Sequence, residues 1–304
     1  MAKWTADQIP DQSGRTAVVT GANSGLGFIT ARELARSGAR VILTARESSK
    51  AESARTAVAE AVAGASLDPR TLDLADLGSI RSFVEGVEAV DVLVNNAGVM
   101  MTPRRTTADD FELQLGTNHL GHFALTGLLL DRLGEGQDAR VVTVTSLEHR
   151  AGRIDFDDLQ SEHAYSPRGA YRQSKLANAV FGLELDRRLR AAGLPIKSVL
   201  AHPGYTATNL QLSGPTGAMR ALLRVTNKLV AQGVERGALP QLYAATARDV
   251  VGGGFYGPDG FNEIRGYPAR VEPVERAQDP ELGRRLWEVS EELTGVGYLD
   301  TAPA

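Results

Sequence analysis

Cysteine is absent from all 304 residues. This excludes disulfides, cysteine nucleophiles and thiolate metal sites, and it leaves the redox compartment open. A basic run is missing as well, and the formal net charge is −4. The chain therefore has no electrostatic footprint for nucleic acid, and none is expected as a partner. No apolar run approaches the ~20 residues that span a bilayer. The stretch from Met1 to Asp7 lacks the apolar segment of a signal peptide. These absences lead to the expectation of a cytoplasmic protein without an integral membrane segment. Linkers, low-complexity tracts and internal repeats are also missing, which points to one domain. With 42% hydrophobic residues the chain can bury one large core.

What is present is a rhythm of short apolar strands and longer helical patterns. Strands are expected at 16–20, 40–44, a third ending near Leu72-Asp73, 92–94, 140–145 and 197–200. Helices are expected through 30–35, ended by Gly38, and at about 48–62, 79–87, 115–130 and 169–190. Continuous apolar strands alternating with helices predict an α/β fold, a doubly wound parallel sheet covered on both faces. Residues 211–239 break the rhythm. Met219, Leu222, Leu223, Leu229 and Val230 share one helical face there. That face either covers a ligand pocket or is ordinary packing.

Tyr171 and Lys175 stand four apart in a predicted helix, on one face and one turn apart. A free tyrosine titrates near ~10, and a neighbouring ammonium favours its phenolate. The pair could thus move protons at working pH. Such pairs also arise by chance, and the weight of this one comes from what precedes it. Thr20-Gly21-Ala22-Asn23-Ser24-Gly25-Leu26-Gly27 joins the first strand to the first helix. Glycines allow a tight turn and close backbone approach, and a helix start favours a pyrophosphate. A plain capping turn is the competing reading.

Taken in order, these segments resemble the short-chain dehydrogenase/reductase family, whose phosphate turn is T-G-x-x-x-G-x-G. Asn95-Asn96-Ala97-Gly98 is similar to its N-N-A-G motif, and His202-Pro203-Gly204 with Thr208 to its P-G-x-x-x-T motif. The resemblance implies a Rossmann-like fold and hydride transfer between a nicotinamide cofactor and a carbonyl or alcohol. It implies a catalytic set of Asn118, Ser146, Tyr171 and Lys175. Tyr171 would donate or remove the proton, and Lys175 would lower its pKa and bind ribose hydroxyls. Ser146 would bond the substrate oxygen, and Asn118 would help hold a relay water. A cofactor set of Gly21, Asn23, Ser24, Gly25, Leu26, Gly27, Asp73, Leu74, Asn96, Ala97, Gly98, Pro203, Gly204 and Thr208 also follows, with Tyr171 and Lys175 shared. Ala45-Arg46 follows the second strand where NAD users carry an acidic residue. A guanidinium suits a 2′-phosphate, so NADP(H) is favoured over NAD(H). Within the family, residues 118–123, 146–159 and 171–181 resemble the retinol dehydrogenase-like and protochlorophyllide reductase-like branch.

The resulting reading is an NADP(H)-dependent oxidoreductase on an apolar, bulky ketone, aldehyde or alcohol. A catalytically silent NADP-binding regulator is the alternative, and a redox-assisted lyase or epimerase is a third. A homo-oligomer is compatible with the family, and Trp287 and Tyr298 in the extended C-terminus are candidates to cover part of the surface such assemblies use. Three weaker groupings carry no function. His119 and His122 share a helix face without a third metal ligand nearby and are read as packing. Asp155, Asp157 and Asp158 are read as a solvated loop, and 252–257 as a late strand and turn. No metal site is expected.

Overall fold

A computed structural model describes residues 3–206 and 232–299. Strand β1 (Thr16–Val19) leads through the glycine turn into α1 (Gly25–Arg36), then β2 (Arg40–Ala45), α2 (Ser48–Ala61), β3 (Leu67–Thr71), α3 (Leu77–Glu85) and β4 (Val92–Asn95). The second half holds β5 (Arg140–Val144), a long helix Pro167–Ala191, β6 (Lys197–Ala201), a helix Val234–Thr246, β7 (Phe255–Pro258), β8 (Pro268–Arg270) and a helix Pro280–Thr294. The sheet order is β3-β2-β1-β4-β5-β6-β7-β8. Strands β1 to β7 run parallel, and β8 pairs antiparallel with β7. The chain reverses direction across the sheet between β1 and β4. A doubly wound sheet opens its ligand crevice at that point, beyond the carboxyl ends of the strands.

The inner strands are runs of Val, Leu and Ile buried on both faces, as a covered parallel sheet requires. At the edge, β3 contains Pro69 and is only half-buried, which an edge strand tolerates. Ala31 and Leu34 of α1 pack with Ala238 and Leu242 on one face of the sheet. Phe123, Phe181, Leu185 and Trp287 pack on the other.

Between β4 and β5 the expected single helix over 115–130 is divided. A short turn α4 (Leu113–Leu115) runs into a π-helical stretch (Gly116–Leu120), then α5 (Gly121–Leu128) and α6 (Leu130–Gly134). Gly121 meets the carbonyl of Leu74, where a side chain would not fit. The remaining helices are α7 (Pro167–Ala191), α8 (Val234–Thr246) and α9 (Pro280–Thr294). Caps set several ends that apolar periodicity misplaces by two residues. Asp76 Oδ1 accepts from the backbone N–H of Gly78 at 2.8 Å and Ser79 at 3.1 Å, so α3 starts at Leu77 rather than Ser79. Ser166 caps α7 with Pro167 at its first position. Of the stretch 211–239, residues 234–239 open α8, and 211–231 lie outside the described residues.

Candidate active site

The glycine turn has the backbone its sequence demands. Gly21 and Gly25 adopt φ of +66° and +57°, in the left-handed region where a side chain is strained. A β-carbon on Gly21 would stand 3.0 Å from Ala97, and one on Gly27 would stand 2.5 Å from Asn96 Nδ2. Ser24 precedes α1 without a side-chain cap, and Asn23 and Ser24 are exposed. The first turn of α1 thus presents its start beside a cradle that only glycine can line. That arrangement fits the pyrophosphate of a dinucleotide.

Thr20 anchors this turn to the neighbouring loop. Its hydroxyl accepts the backbone N–H groups of Asn96 and Ala97, each at 2.9 Å, and Asn96 Nδ2 donates to its carbonyl at 2.8 Å. The end of β2 joins the same cluster, because Ala22 N–H donates to Thr44 O at 2.9 Å. Ala45 is buried, and the Arg46 side chain is 68% exposed with only a loose approach to Glu47 at 3.9 Å. Beyond β3, Asp73 is half-buried and accepts from Ala75 N–H at 3.0 Å, while Leu74 is buried against the start of α5. Gly98 closes the cluster: a β-carbon there would stand 2.9 Å from Asn118 Oδ1 and 3.7 Å from Lys175 Nζ.

Tyr171 and Lys175 come together on α7, with Nζ 5.9 Å from the centre of the phenol ring. Both are nearly fully buried. Lys175 Nζ donates to Val144 O at 3.1 Å, at the end of β5. Ser146 follows that strand and stands near enough to Tyr171 to act on the phenol's pKa. The Ser146 hydroxyl also accepts from Glu148 N–H at 3.3 Å, opening a 3-10 turn. Asn118 lies in the π-helical stretch, a local geometry frequent at functional sites. Its side chain accepts from Val99 N–H at 2.8 Å and donates to Val99 O at 3.0 Å and Ser174 Oγ at 2.9 Å. It therefore ties the loop after β4 to α7, directly beside Lys175.

The electrostatics differ from the sequence argument in one respect. A lysine neighbour alone would lower the tyrosine. In the folded chain burial is the largest influence and pushes Tyr171 up to about 12, with Ser146 acting downward and the Glu148 charge upward. Burial likewise pushes Lys175 down to about 8. Desolvation opposes charge on both groups, so the protonated phenol is the resting form.

The turn after β6 carries Pro203 and Gly204, the latter at φ +63°, where a β-carbon would stand 2.5 Å from Ile264 O. Thr208 lies outside the described residues. Side chains that sequence reasoning did not assign to the site also converge here. His202 Nε2 lies 2.8 Å from Glu263 Oε2, and Arg150 reaches the other Glu263 oxygen at 2.5 Å. Glu263 thereby links the Pro-Gly turn to the turn carrying Ser146. It sits far along the sequence at φ +58°, with no local pattern to mark it. Glu148 is held by Arg168 at 2.8 Å and Arg172 at 2.6 Å; burial raises its pKa, and the two guanidiniums together draw it below the usual carboxylate range. His119 packs against Phe123 and Phe181. Asp158 is spent on the backbone N–H groups of residues 162–164. Among the described residues no group of three or more His, Asp or Glu side chains could hold a metal ion.

Residues 15–216 match the family described as short chain dehydrogenase. Mouse polyprenol dehydrogenase is 42% identical over 302 residues, covering 96% of this chain and 88% of that protein. Human retinol dehydrogenase 13 is 42% identical over 294 residues, covering 93% and 85%. A crystal structure of an uncharacterised protein from Mycobacterium Paratuberculosis aligns with TM-score 0.82 at 46% identity, covering 97% of this chain and 98% of that one. The chain belongs to the short-chain dehydrogenases, in the retinol dehydrogenase-like branch, and is an oxidoreductase acting on CH–OH and C=O groups.

Proposed function

We propose that the chain uses NADP(H) to interconvert an apolar ketone or aldehyde and the corresponding alcohol. The observation that carries this is the buried contact of Tyr171, Lys175 and Ser146 beside a glycine cradle. When bound there, NADP(H) supplies or accepts the hydride. Residues 21–27 and 96–98 would hold its phosphates and nicotinamide side, with Pro203, Gly204 and Thr208 beyond. Asp73 and Leu74 would lie along the adenine. Arg46, exposed and loosely paired, would meet the 2′-phosphate.

Ser146 donates a hydrogen bond to the substrate oxygen where charge develops. In reduction Tyr171 hands its proton to that oxygen. Lys175 keeps its ammonium below about pH 8, stabilises the phenolate left behind and returns a proton to it, and is itself reprotonated from solvent through a water that Asn118 would help hold. Asn118 keeps the loop after β4 in register with α7. The relatives' names, polyprenol and retinol dehydrogenase, are those of long apolar alcohols, which supports an apolar substrate. The stretch 211–239 is the proposed cover of that substrate. Among the described residues no helix is long and apolar enough to cross a membrane. A cytoplasmic location is part of the proposal.

The test is NADPH oxidation, followed by absorbance, over a panel of apolar aldehydes and ketones. Turnover that disappears in Tyr171→Phe supports the reading. Tight NADPH binding with no turnover on any member would support the silent regulator instead.

A further inference from the structure

His122 is fully buried on α5, one turn after Asn118. Its Nδ1 lies 2.9 Å from the backbone carbonyl of Asn118. A carbonyl only accepts, so Nδ1 carries the ring hydrogen. Nε2 is then a bare lone pair, and it lies 3.0 Å from the Thr20 hydroxyl. That hydroxyl already accepts from Asn96 and Ala97, so its one hydrogen is free to donate. Two acceptors compete for it: Val94 O at 3.2 Å and His122 Nε2 at 3.0 Å. Only donation to the ring satisfies the buried nitrogen. Every proton in the series is thereby placed. The N–H groups of Asn96 and Ala97 feed Thr20, Thr20 feeds His122, and His122 feeds Asn118.

From this geometry we infer that His122 is a positioning residue that joins the cofactor turn to Asn118, and through Asn118 to the helix bearing Tyr171 and Lys175. The inference rests on the function proposed above. It adds a residue whose ring does not touch the reacting atoms. The ring engages the backbone carbonyl of Asn118 inside the π-helical stretch, a local geometry frequent at functional sites. The Asn118 side chain then carries the constraint to Val99 and Ser174. Burial pushes His122 down to about 4, so the neutral ring persists at working pH.

Two measurements test this without and with turnover. In the first, the ring nitrogens of His122 are observed by long-range proton–nitrogen NMR on the protein alone, assigned by a His122→Phe control. The expected result is the Nδ1–H neutral tautomer, unchanged from pH 7.5 to 5.5. An Nε2–H tautomer, or a charged ring at pH 6, overturns the inference whatever the enzyme does. In the second, NADPH affinity and kcat are measured for His122→Phe, Thr20→Val and the double variant. His122→Phe fills the space without either hydrogen bond. It should lower kcat by about tenfold to a hundredfold, as misplacement at a reacting centre does. The double variant should lose no more than the worse single one, because both cut the same series. Losses that multiply, or a His122→Phe enzyme with parental kcat and affinity, overturn it. His122→Asn retains a donor toward the Asn118 carbonyl and should recover part of kcat; recovery of melting temperature alone would mark a merely structural ring. A parent that turns over no carbonyl would overturn the proposed function, while the tautomer still decides the role of His122.

Discussion

At the glycine turn the fold presents backbone to a ligand, and around Tyr171 it presents buried side chains to a reaction. Gly21 and Gly27 act by what they lack, leaving room beside the start of α1, and Gly25 by its left-handed backbone. Tyr171, Lys175 and Asn118 act by functional groups taken out of water. The two ends of one crevice consequently obey different rules. At the proposed cofactor end the Arg46 side chain is 68% exposed. At the reaction end desolvation sets the protonation states, lifting Tyr171 to about 12 and lowering Lys175 to about 8.

The contrast breaks most visibly at Tyr171. Tyr171→Phe removes only the hydroxyl, and kcat should fall by ~10²–10⁴, the usual worth of a positioned acid. NADPH affinity by fluorescence titration should remain within a few-fold. Loss of both together would mean that the ends are not separable.

At the other end, Ala45→Asp with Arg46→Ala exchanges a phosphate partner for a ribose-hydroxyl acceptor. Hydrogen bonds to charged groups are worth ~1.5–3 kcal/mol, so the NADPH-to-NADH ratio of kcat/KM should move at least about tenfold toward NADH. The Tyr171-dependent step should be untouched. A parent enzyme that already prefers NADH would remove Arg46 from the site.

Acid should weaken the reaction end first. Burial lowers His119 to about 3, His122 and His149 to about 4, and His202 as well. Their folded pKa values lie below the unfolded value near ~6.5, so the unfolded chain takes up protons first. This stabilisation is complete above ~6.5 and is lost as pH falls from there toward 4, by about 1.4 kcal/mol per pH unit for each of His119, His122 and His149 in that window. Urea midpoints should drop between pH 7 and pH 5. An equal or higher midpoint at pH 5 would contradict the neutral, buried rings.

The smallest effect concerns Lys175→Met. Removing a cation disfavours the phenolate, so the alkaline limb of alcohol oxidation should move to higher pH. An unchanged profile would leave Lys175 with a cofactor-holding role alone.

The cofactor end was also the more legible in the sequence. A left-handed turn announces itself as glycine, and Thr20 to Gly27 are contiguous. The Tyr171–Lys175 spacing was equally plain, because helical period converts a separation of four into proximity. The desolvation of that pair was not, since burial depends on β5 and on the loops that close over it. Nor did the sequence show why Asn118 is placed as it is. The helix over 115–130 reads as one apolar repeat, and the π-helical stretch inside it leaves no compositional mark. His119 and His122 illustrate the same limit. Reading both as packing residues was sound for His119, which sits among Phe123 and Phe181. For His122 it missed Thr20, which follows β1 and lies far away in sequence. Glu263, joining His202 to Arg150, was invisible for that reason too.

The aromatic layer behind α7 bears on how the enzyme is made. Trp287 of α9 stacks on Phe181 of α7, Phe123 of α5 meets both Trp287 and Tyr298, and Tyr298 leaves no room for a β-carbon on Gly127. During vectorial synthesis α5 and α7 leave the ribosome well before the residues that cover them. Until α9 and Tyr298 arrive, the flank of the helix that carries Tyr171 exposes Phe123 and Phe181. The nascent chain is therefore expected to offer chaperones an aromatic surface there, and the helix carrying Tyr171 to settle only after that surface is sealed.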